Sequence, residues 1–390
     1  MLPIGDLLKQ VRRPVNVESD THYREIGIRS HGKGIFHKPE TTGKQIGEKR
    51  VFWVEPDCLV FNIVFAWEQA VAMTSKAEVG MIASHRFPMY CSRNGKLLPE
   101  YAWRYFSTLR GKYDLNIASP GGAGRNKTLG QEEFKRLKIP IPPIEYQREV
   151  VEVLSTTDRA IAGMEQLIAT KRTLKKGLAQ QLLTGQHRLP GCYMPWLLVA
   201  LGDMGQVVSG GTPDTTRSDF WDGEHPWCTP TDVTKCSTYI HETDRRITEQ
   251  GLAASSAALL PKNSLVVCTR ATIGECALTG VQLATNQGFK SIVFSKSYEP
   301  LFVFHSLTLH KHKLLRLANG STFLEVSKRD FCRVELPMPQ REEQIRIAAV
   351  LDAADRGIAV LEKKLAVQRK LKKGLMQKLL TGTMPTKETA

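Results

Sequence analysis

Side chains that hydrogen-bond in pairs or carry positive charge gather in a few glycine-punctuated stretches. "GGTPDTTR" offers Gly210, Gly211, Thr212 and Arg217, "TNQGFK" offers Asn286, Gln287 and Lys290, and Thr231 sits between them in "TPTDV". Earlier in the chain, "IRSHGKGIFHK" carries Arg29, His31, Lys33 and Lys38, "SHR" is Ser84, His85 and Arg86, and "GRNK" supplies Arg125 and Lys127. Arg and Lys neutralise phosphate, and Asn, Gln, Ser, Thr and Arg meet base edges through paired donors and acceptors, so the expected chemistry is recognition. The same residue types also build turns, so the surrounding elements must decide which of them face a ligand.

Bond-making chemistry finds no matching motif. There is no Asn-Pro-Pro-aromatic methyltransferase motif, no S-adenosylmethionine glycine loop, no intact P-loop and no HExxH. "GGAGRNKT" (121–128) places Asn126 where a Walker loop needs Gly before Lys127, and Pro56-Asp57 and Pro213-Asp214 lack the Glu-x-Lys of a nuclease. The eight cysteines form no CxxC and match no common zinc spacing, so reduced thiols and no metal are expected. The start "MLPIGDLLKQVRRP" lacks the features of a signal peptide, and no apolar run approaches the roughly 18 residues of a membrane helix. A cytoplasmic protein without a membrane partner is the expectation. A net charge of +15 points to a polyanion, and by itself leaves DNA, RNA and an acidic protein open.

The elements that position these residues are announced by a repeat. "LKKGLAQQLLTG" (174–185) recurs as "LKKGLMQKLLTG" (371–382), a period near half of the 390 residues. That is duplication of one large unit, not a short solenoid repeat. At the same offset Asp158-Arg159 matches Asp355-Arg356, "FKRLKIPIP" (134–142) matches "FCRVELPMP" (331–339), and Gly5-Asp6 matches Gly202-Asp203. Between these anchors the halves share almost nothing. The duplicated unit therefore runs over about 1–193 and again over 198–390, each a divergent body followed by a similar tail.

In the tails, Val150, Leu154, Thr157, Ile161, Met164 and Ile168 step by four and three, as do Ile347, Leu351, Ala354, Ile358, Leu361 and Leu365, and the stripe resumes at Leu174, Leu178 and Leu182 and at Leu371, Leu375 and Leu379. This is a coiled-coil seam on a helix of roughly 35–40 residues, about 55 Å long, and each helix is the natural partner of the other. The prolines at 142–143 and at 337 and 339 set up the helix starts, and Gly185 and Gly382 are stops. Lys171, Arg172, Lys175 and Lys176, with Arg369, Lys370, Lys372 and Lys373, read as a solvated or partner-docking face. The bodies read as mixed α/β (α+β). Strands are expected at "RVFWVEP", "CLVFNIVFAW" and "LKIPIP" in the first and at "SLVVCTRATI", "FKSIVF" and "RVELPMP" in the second, with one helix each over 99–111 and 299–317.

The chain resembles, over essentially its whole length, the DNA-specificity subunit of Type I restriction-modification systems. The likeness is carried by the duplicated "LKKGL…LLTG" helix ends with "DRAIA" and "DRGIA" upstream, the exits at 139–142 and 336–339, and "LGDMGQVVSGGTPDTTRSDFWDGEHPWCTPTDV". "LVFNIVFAWEQAVA", "ASHRFPMY", "TRATIGECAL" and "ATNQGFKSIVF" look like that family's internal motifs. The first body lacks the "GGTP…W…TP" segment and carries "IGIRSHGKGIFHKPETTG" (26–43) instead, which implies a different recognition class.

The resemblance implies target-recognition domains at 1–143 and 196–339, and conserved helical regions at 144–195 and 340–390 that space them. Antiparallel pairing of the two helices would give pseudo-two-fold symmetry, matched to the dyad of duplex DNA, with a bipartite asymmetric target. The implied role is non-catalytic. Two modification subunits acting as an adenine-N6 methyltransferase would dock on the helices and restriction subunits would join them, with S-adenosylmethionine, ATP and Mg held by those partners. A specificity chain of a Type IIB-like enzyme, or a coiled-coil scaffold with two protein-binding domains and no DNA role, are the alternatives.

Overall fold

The structure is a computed structural model that describes residues 2–121, 127–319 and 324–380. It divides into two compact units, residues 1–165 with 363–390, and residues 166–362. These are not the linear halves of the duplication. Two unbroken helices, Ile144–Leu183 and Arg341–Leu380, each begin in one unit and end in the other, passing straight through Gly177 and Gly374.

In the first unit a four-stranded antiparallel sheet has the order Leu8–Val11, Met89–Ser92, Leu59–Phe61, Val71–Met73. A second has the order Ile35–Thr42, His22–Ile28, Ile82–Ser84, Val51–Trp53. "LVF" at 59–61 is wholly buried because it is an inner strand covered on both faces. Its Phe61 ring meets Tyr90, Phe106 and Phe134 at 4.9–6.1 Å between centroids, edge to face. Val150 and Leu154 of one long helix and Leu379 and Leu380 of the other close this core.

The second unit has a five-stranded sheet, Gly205–Ser209, Phe289–Phe294, Leu265–Cys268, Cys276–Thr279, Tyr239–Ile240. A three-stranded sheet, Arg245–Ile247, Trp221–Cys228, Ala284–Thr285, lies in the same unit. Its largest core joins Leu265, Ile292, Phe302 and Phe331 to Leu182 and Leu183 of one long helix and Ile347 and Leu351 of the other.

The expected secondary structure needs correction in four places. "CLVFNIVFAW" is strand only to Phe61 and then turns into a 3-10 segment, Ala66–Glu68, and "LKIPIP" pairs by a single bridge, Pro3 with Lys138. Each helix expected in a body is two: Pro99–Phe106 with Leu109–Ile117, and Pro300–Leu309 with His312–Leu317. Thr108 makes the first break, because its hydroxyl accepts from the Gly111 N–H at 3.0 Å and so caps a new helix.

The duplication reappears as equivalent contacts in the two units. The Ile4 N–H donates to the Leu137 carbonyl, and the Leu201 N–H to the Val334 carbonyl, both at 2.9 Å. Gln147, fully buried, accepts from the Leu98 N–H (2.9 Å) and donates to the Lys96 and Pro142 carbonyls (2.8 and 2.9 Å). Gln344 accepts from the Glu299 N–H and donates to the Pro339 carbonyl, both at 2.8 Å. Each glutamine thus ties the start of a body helix, opened by Pro99 or Pro300, to the start of a long helix.

Within each unit the long-helix segments run antiparallel. In the first unit Glu165 pairs with Arg369 at 2.6 Å and Asp158 with Lys372; in the second Glu362 pairs with Arg172 and Asp355 with Lys175, both at 2.5 Å. Burial alone would push the Asp158 carboxyl up, but hydrogen bonds from Lys372 and Arg104 outweigh it and hold the group below the usual range.

The seam itself departs from the expected register. Leu174 and Leu371 are 65% and 52% exposed, so they are not seam residues. The heptad runs instead through Leu154, Ile161, Ile168, Lys175 and Leu182, and through Leu351, Ile358, Leu365, Lys372 and Leu379. A lysine takes the core-facing position, and a carboxylate on the facing helix satisfies it, a device that fixes helix register. Leu178 and Leu375 are half-buried beside it. Arg172, Lys175, Arg369 and Lys372 are therefore engaged between helices, while Lys171, Lys176, Lys370 and Lys373 are exposed.

Candidate nucleic-acid interface

In the first unit the polar residues follow from the strand geometry. The hairpin of His22–Ile28 and Ile35–Thr42 turns through "RSHGKG", where His31, Gly32 and Gly34 take left-handed φ of 62°, 65° and 78°. The turn is anchored rather than loose. The His31 and Gly32 N–H groups donate to the Glu68 and Gln69 carbonyls at 2.7 and 3.0 Å, and the Ser30 hydroxyl donates to Glu68 at 3.0 Å. Arg29 lies with its guanidinium 5.1 Å from the Phe36 ring centre, which leaves Arg29, His31 and Lys33 on the hairpin tip.

A cleft of about 470 Å³ in the same unit gathers Lys38, Ser84, His85 and Arg86 with Lys49 and Asn62. Lys38 is oriented by Glu25 at 2.6 Å. Beneath the hairpin, His37 and Glu78 pair at 2.9 Å; burial raises the Glu78 carboxyl, and the hydrogen bonds from His37 and Ser75 more than reverse that. Lys127 donates to Asn116 at 2.9 Å with its ammonium 5.9 Å from the Trp67 ring, apart from the cleft set. Arg125 lies outside the described residues.

In the second unit two distant motifs meet. The Gly211 N–H donates to the Thr285 carbonyl at 2.9 Å and the Thr212 hydroxyl donates to Gln287. A Cβ on Gly210 would stand 1.9 Å from the Asn286 carbonyl oxygen, and one on Gly211 would stand 2.3 Å from the Ala257 nitrogen. The two glycines are buried packing residues that let one loop press on another, so they present no side chain or surface to a ligand. Asn286 is turned inward and accepts from the Gly288 N–H at 2.9 Å. Thr212 and Gln287 remain at the surface of this loop pair.

Other members of the set are placed differently from the expectation. Lys290 is buried, 7% exposed, on the strand Phe289–Phe294; burial lowers its pKa, opposed by Glu325 at 3.9 Å. A lysine so enclosed is a structural charge and not a free phosphate contact. Arg217 is exposed but chelated by Asp219 at 2.6 Å, and Thr231 is exposed on the helix Pro230–Lys235.

Sequence reasoning missed Lys49 and Asn62 of the cleft, and in the second unit Arg270, which pairs with Glu325 at 2.6 Å beside Lys290. Arg245 was also missed; its guanidinium lies 3.6 Å from the Trp221 ring centre, a stacked and preorganised cation. Asn62 sits in an apolar run, and Lys49, Arg245 and Arg270 lie outside the polar loop stretches singled out in the sequence. Among the described residues no group of three or more His, Cys, Asp or Glu could hold a metal ion. No described helix is long and apolar enough to cross a membrane.

Two units that repeat one helix framework while presenting unlike polar surfaces narrow the comparison with known proteins. The Type I restriction modification DNA specificity domain matches residues 62–170 and 194–368, well over half of the chain. The chain belongs to the Type I restriction-modification DNA-specificity family. Among relatives in that family, the Type I restriction enzyme MjaIX specificity subunit of Methanocaldococcus jannaschii is 35% identical over 164 residues, 41% of this chain and 38% of its own length. The EcoR124I/EcoR124II specificity subunit of Escherichia coli is 25% identical over 373 residues, 91% of this chain and 86% of its own length. The crystal structure of the HsdS subunit from Thermoanaerobacter tengcongensis shares the fold at a TM-score of 0.52 and 20% identity, with 98% of each chain covered.

Proposed function

We propose that this chain is the DNA-specificity subunit of a Type I restriction-modification complex. The observation that carries the reading is the contrast between constant and variable parts. Gln147 and Gln344, Asp158 and Asp355, and Glu165 and Glu362 make equivalent contacts in the two units. The polar sets above them share neither residues nor supporting strands. A repeated framework offers two like docking surfaces to two copies of one partner, and unlike bodies read unlike half-sites, so the target is bipartite and asymmetric.

Body 1–143 reads one half-site, through the hairpin tip of Arg29, His31 and Lys33 and the cleft of Lys38, Ser84, His85 and Arg86. Body 196–339 reads the other through Thr212, Gln287 and Arg270. The helical regions 144–195 and 340–390 set the spacing and dock two modification subunits, with restriction subunits joining the assembly. The chain itself makes and breaks no bond. S-adenosylmethionine, ATP and Mg belong to the partners, and the complex works in the cytoplasm. The net charge of +15 supplies the phosphate attraction.

The test is selection of bound duplexes from a random library by the chain assembled with its modification subunits. The reading predicts a two-part consensus with unlike halves and a fixed gap, and affinity that falls steeply with salt. Absence of salt-sensitive binding would instead favour a protein scaffold.

A further inference from the structure

The shared framework differs between the units at a buried position on the first helix of each body. In the first unit the helix Pro99–Phe106 starts at Leu98, tied to Gln147, and six residues on comes Arg104. Arg104 is 4% exposed, and its guanidinium donates to Asp158, to the Ser155 hydroxyl at 3.1 Å and to Glu100 at 3.3 Å. In the second unit the helix Pro300–Leu309 starts at Glu299, tied to Gln344, and six residues on comes His305. Asp355 stands where the first unit has Asp158, and Asp352 where it has Ser155.

No arginine of the body helix fills this place in the second unit, and Asp352 pairs instead with Arg356 of its own helix. His305 is 5% exposed, and its Nε2 has no hydrogen-bond partner. Where Asp158 holds both Arg104 and Lys372, Asp355 holds Lys175. A groove of about 1080 Å³ opens beside His305, bordered by Thr238, Tyr239, Thr308, Asp352 and Asp355.

We infer that this groove receives the guanidinium of an arginine side chain carried by a partner protein, which takes the place that Arg104 fills from within the first unit. The acceptors are the spare lone pairs of Asp352 and Asp355, with the buried imidazole packed beside them, and a guanidinium brings planar donors and no acceptor. Burial, with Lys175 adding to it, pushes the imidazole pKa down to about 4, so the ring stays neutral and keeps an acceptor nitrogen at physiological pH. Four cations also border the groove: Arg172, Lys175 and Arg356 are bonded to Glu362, Asp355 and Asp352, and Lys176 is exposed, so a phosphate is the competing occupant that the test must exclude. The inference stands on the helix framework and is independent of which bases the protein reads.

The test follows the His305 ring nitrogens by NMR in the full chain labelled at histidine, with H305Q identifying the signal. N-acetyl-arginine amide, N-acetyl-lysine amide and inorganic phosphate are added in turn. The expected result is a saturable shift of His305 with the arginine amide, a much weaker one with the lysine amide and none with phosphate. H305R, which supplies the guanidinium from the chain itself, abolishes the arginine response. No saturable shift with the arginine amide, an equal response to the lysine amide, or a response to phosphate would each overturn the inference.

Discussion

Replacing Gln344 by Ala tests whether the repeated framework, rather than either body, holds a unit together. Gln344 is 1% exposed and makes two hydrogen bonds, from the Glu299 N–H and to the Pro339 carbonyl, both at 2.8 Å. Truncation leaves the buried Pro339 carbonyl and the part-buried Glu299 N–H without that partner. Each such group costs about 1–3 kcal/mol, so the loss is about 2–6 kcal/mol before any cavity is counted. Against a native stability of about 5–15 kcal/mol, that is a large share of what the unit has. At about 2–4 °C per kcal/mol for a domain of this size, the transition of the second unit moves down by roughly 4–24 °C. Q147A, which strands three backbone groups instead of two, should be at least as severe for the first unit. Calorimetry of the full chain reads the melting, and hydrogen exchange at Glu299 and Leu98 localises it. A Q344A transition within a degree of the parent, or exchange raised equally in both units, would refute the reasoning.

Gly210→Ala places a methyl group 1.9 Å from the Asn286 carbonyl oxygen, so the 286–288 loop must move. Recognition of the second half-site should fail, so duplexes scrambled only in the second half-site bind the variant as they bind the parent, while those scrambled only in the first half-site lose the specific binding they had left. Arg86→Ala in the first-unit cleft should weaken binding across all sequences, and should reduce the slope of log K against log salt by about 0.9 if the residue meets a phosphate. His305 gives a pH signature: between its ordinary 6.5 and about 4 the unfolded chain takes up a proton that the folded chain refuses. Stability therefore falls as pH drops through that window, by up to about 3 kcal/mol, and H305Q flattens the fall in a denaturant titration. The Arg172–Glu362 pair is largely exposed, so a double-mutant cycle should return a coupling of only about 0.2–1 kcal/mol.

The long helices were legible in the sequence because a stripe at three- and four-residue steps, bounded by prolines and glycine, survives any tertiary detail. Their phase beyond Ile168 was not. Following apolar residues alone leads to Leu174, whereas the heptad places Lys175 in the seam, and that choice makes sense only when Asp355 is seen across from it. The same limit applied to the bodies. Gly210 and Gly211 read as a ligand loop, and their actual role is set by Asn286 and Ala257, far away in sequence. Lys290 looked available because its charge is visible and its burial on an inner strand is not. Lys38, Ser84, His85 and Arg86 do meet in one cleft, yet nothing local in the sequence announces that the strands Ile35–Thr42 and Ile82–Ser84 bring them there, and Lys49 and Asn62 joined them unforeseen.

The proposed role is that one chain chooses a two-part sequence for its partners to modify. A base-resolution map of methylated adenines, made in cells with and without this gene and with the modification subunit present in both, addresses that claim most directly. The prediction is one asymmetric motif in two parts, separated by a fixed gap, that disappears with the gene. A methylation pattern unchanged by its removal, in cells where the assembled complex is present, would contradict it.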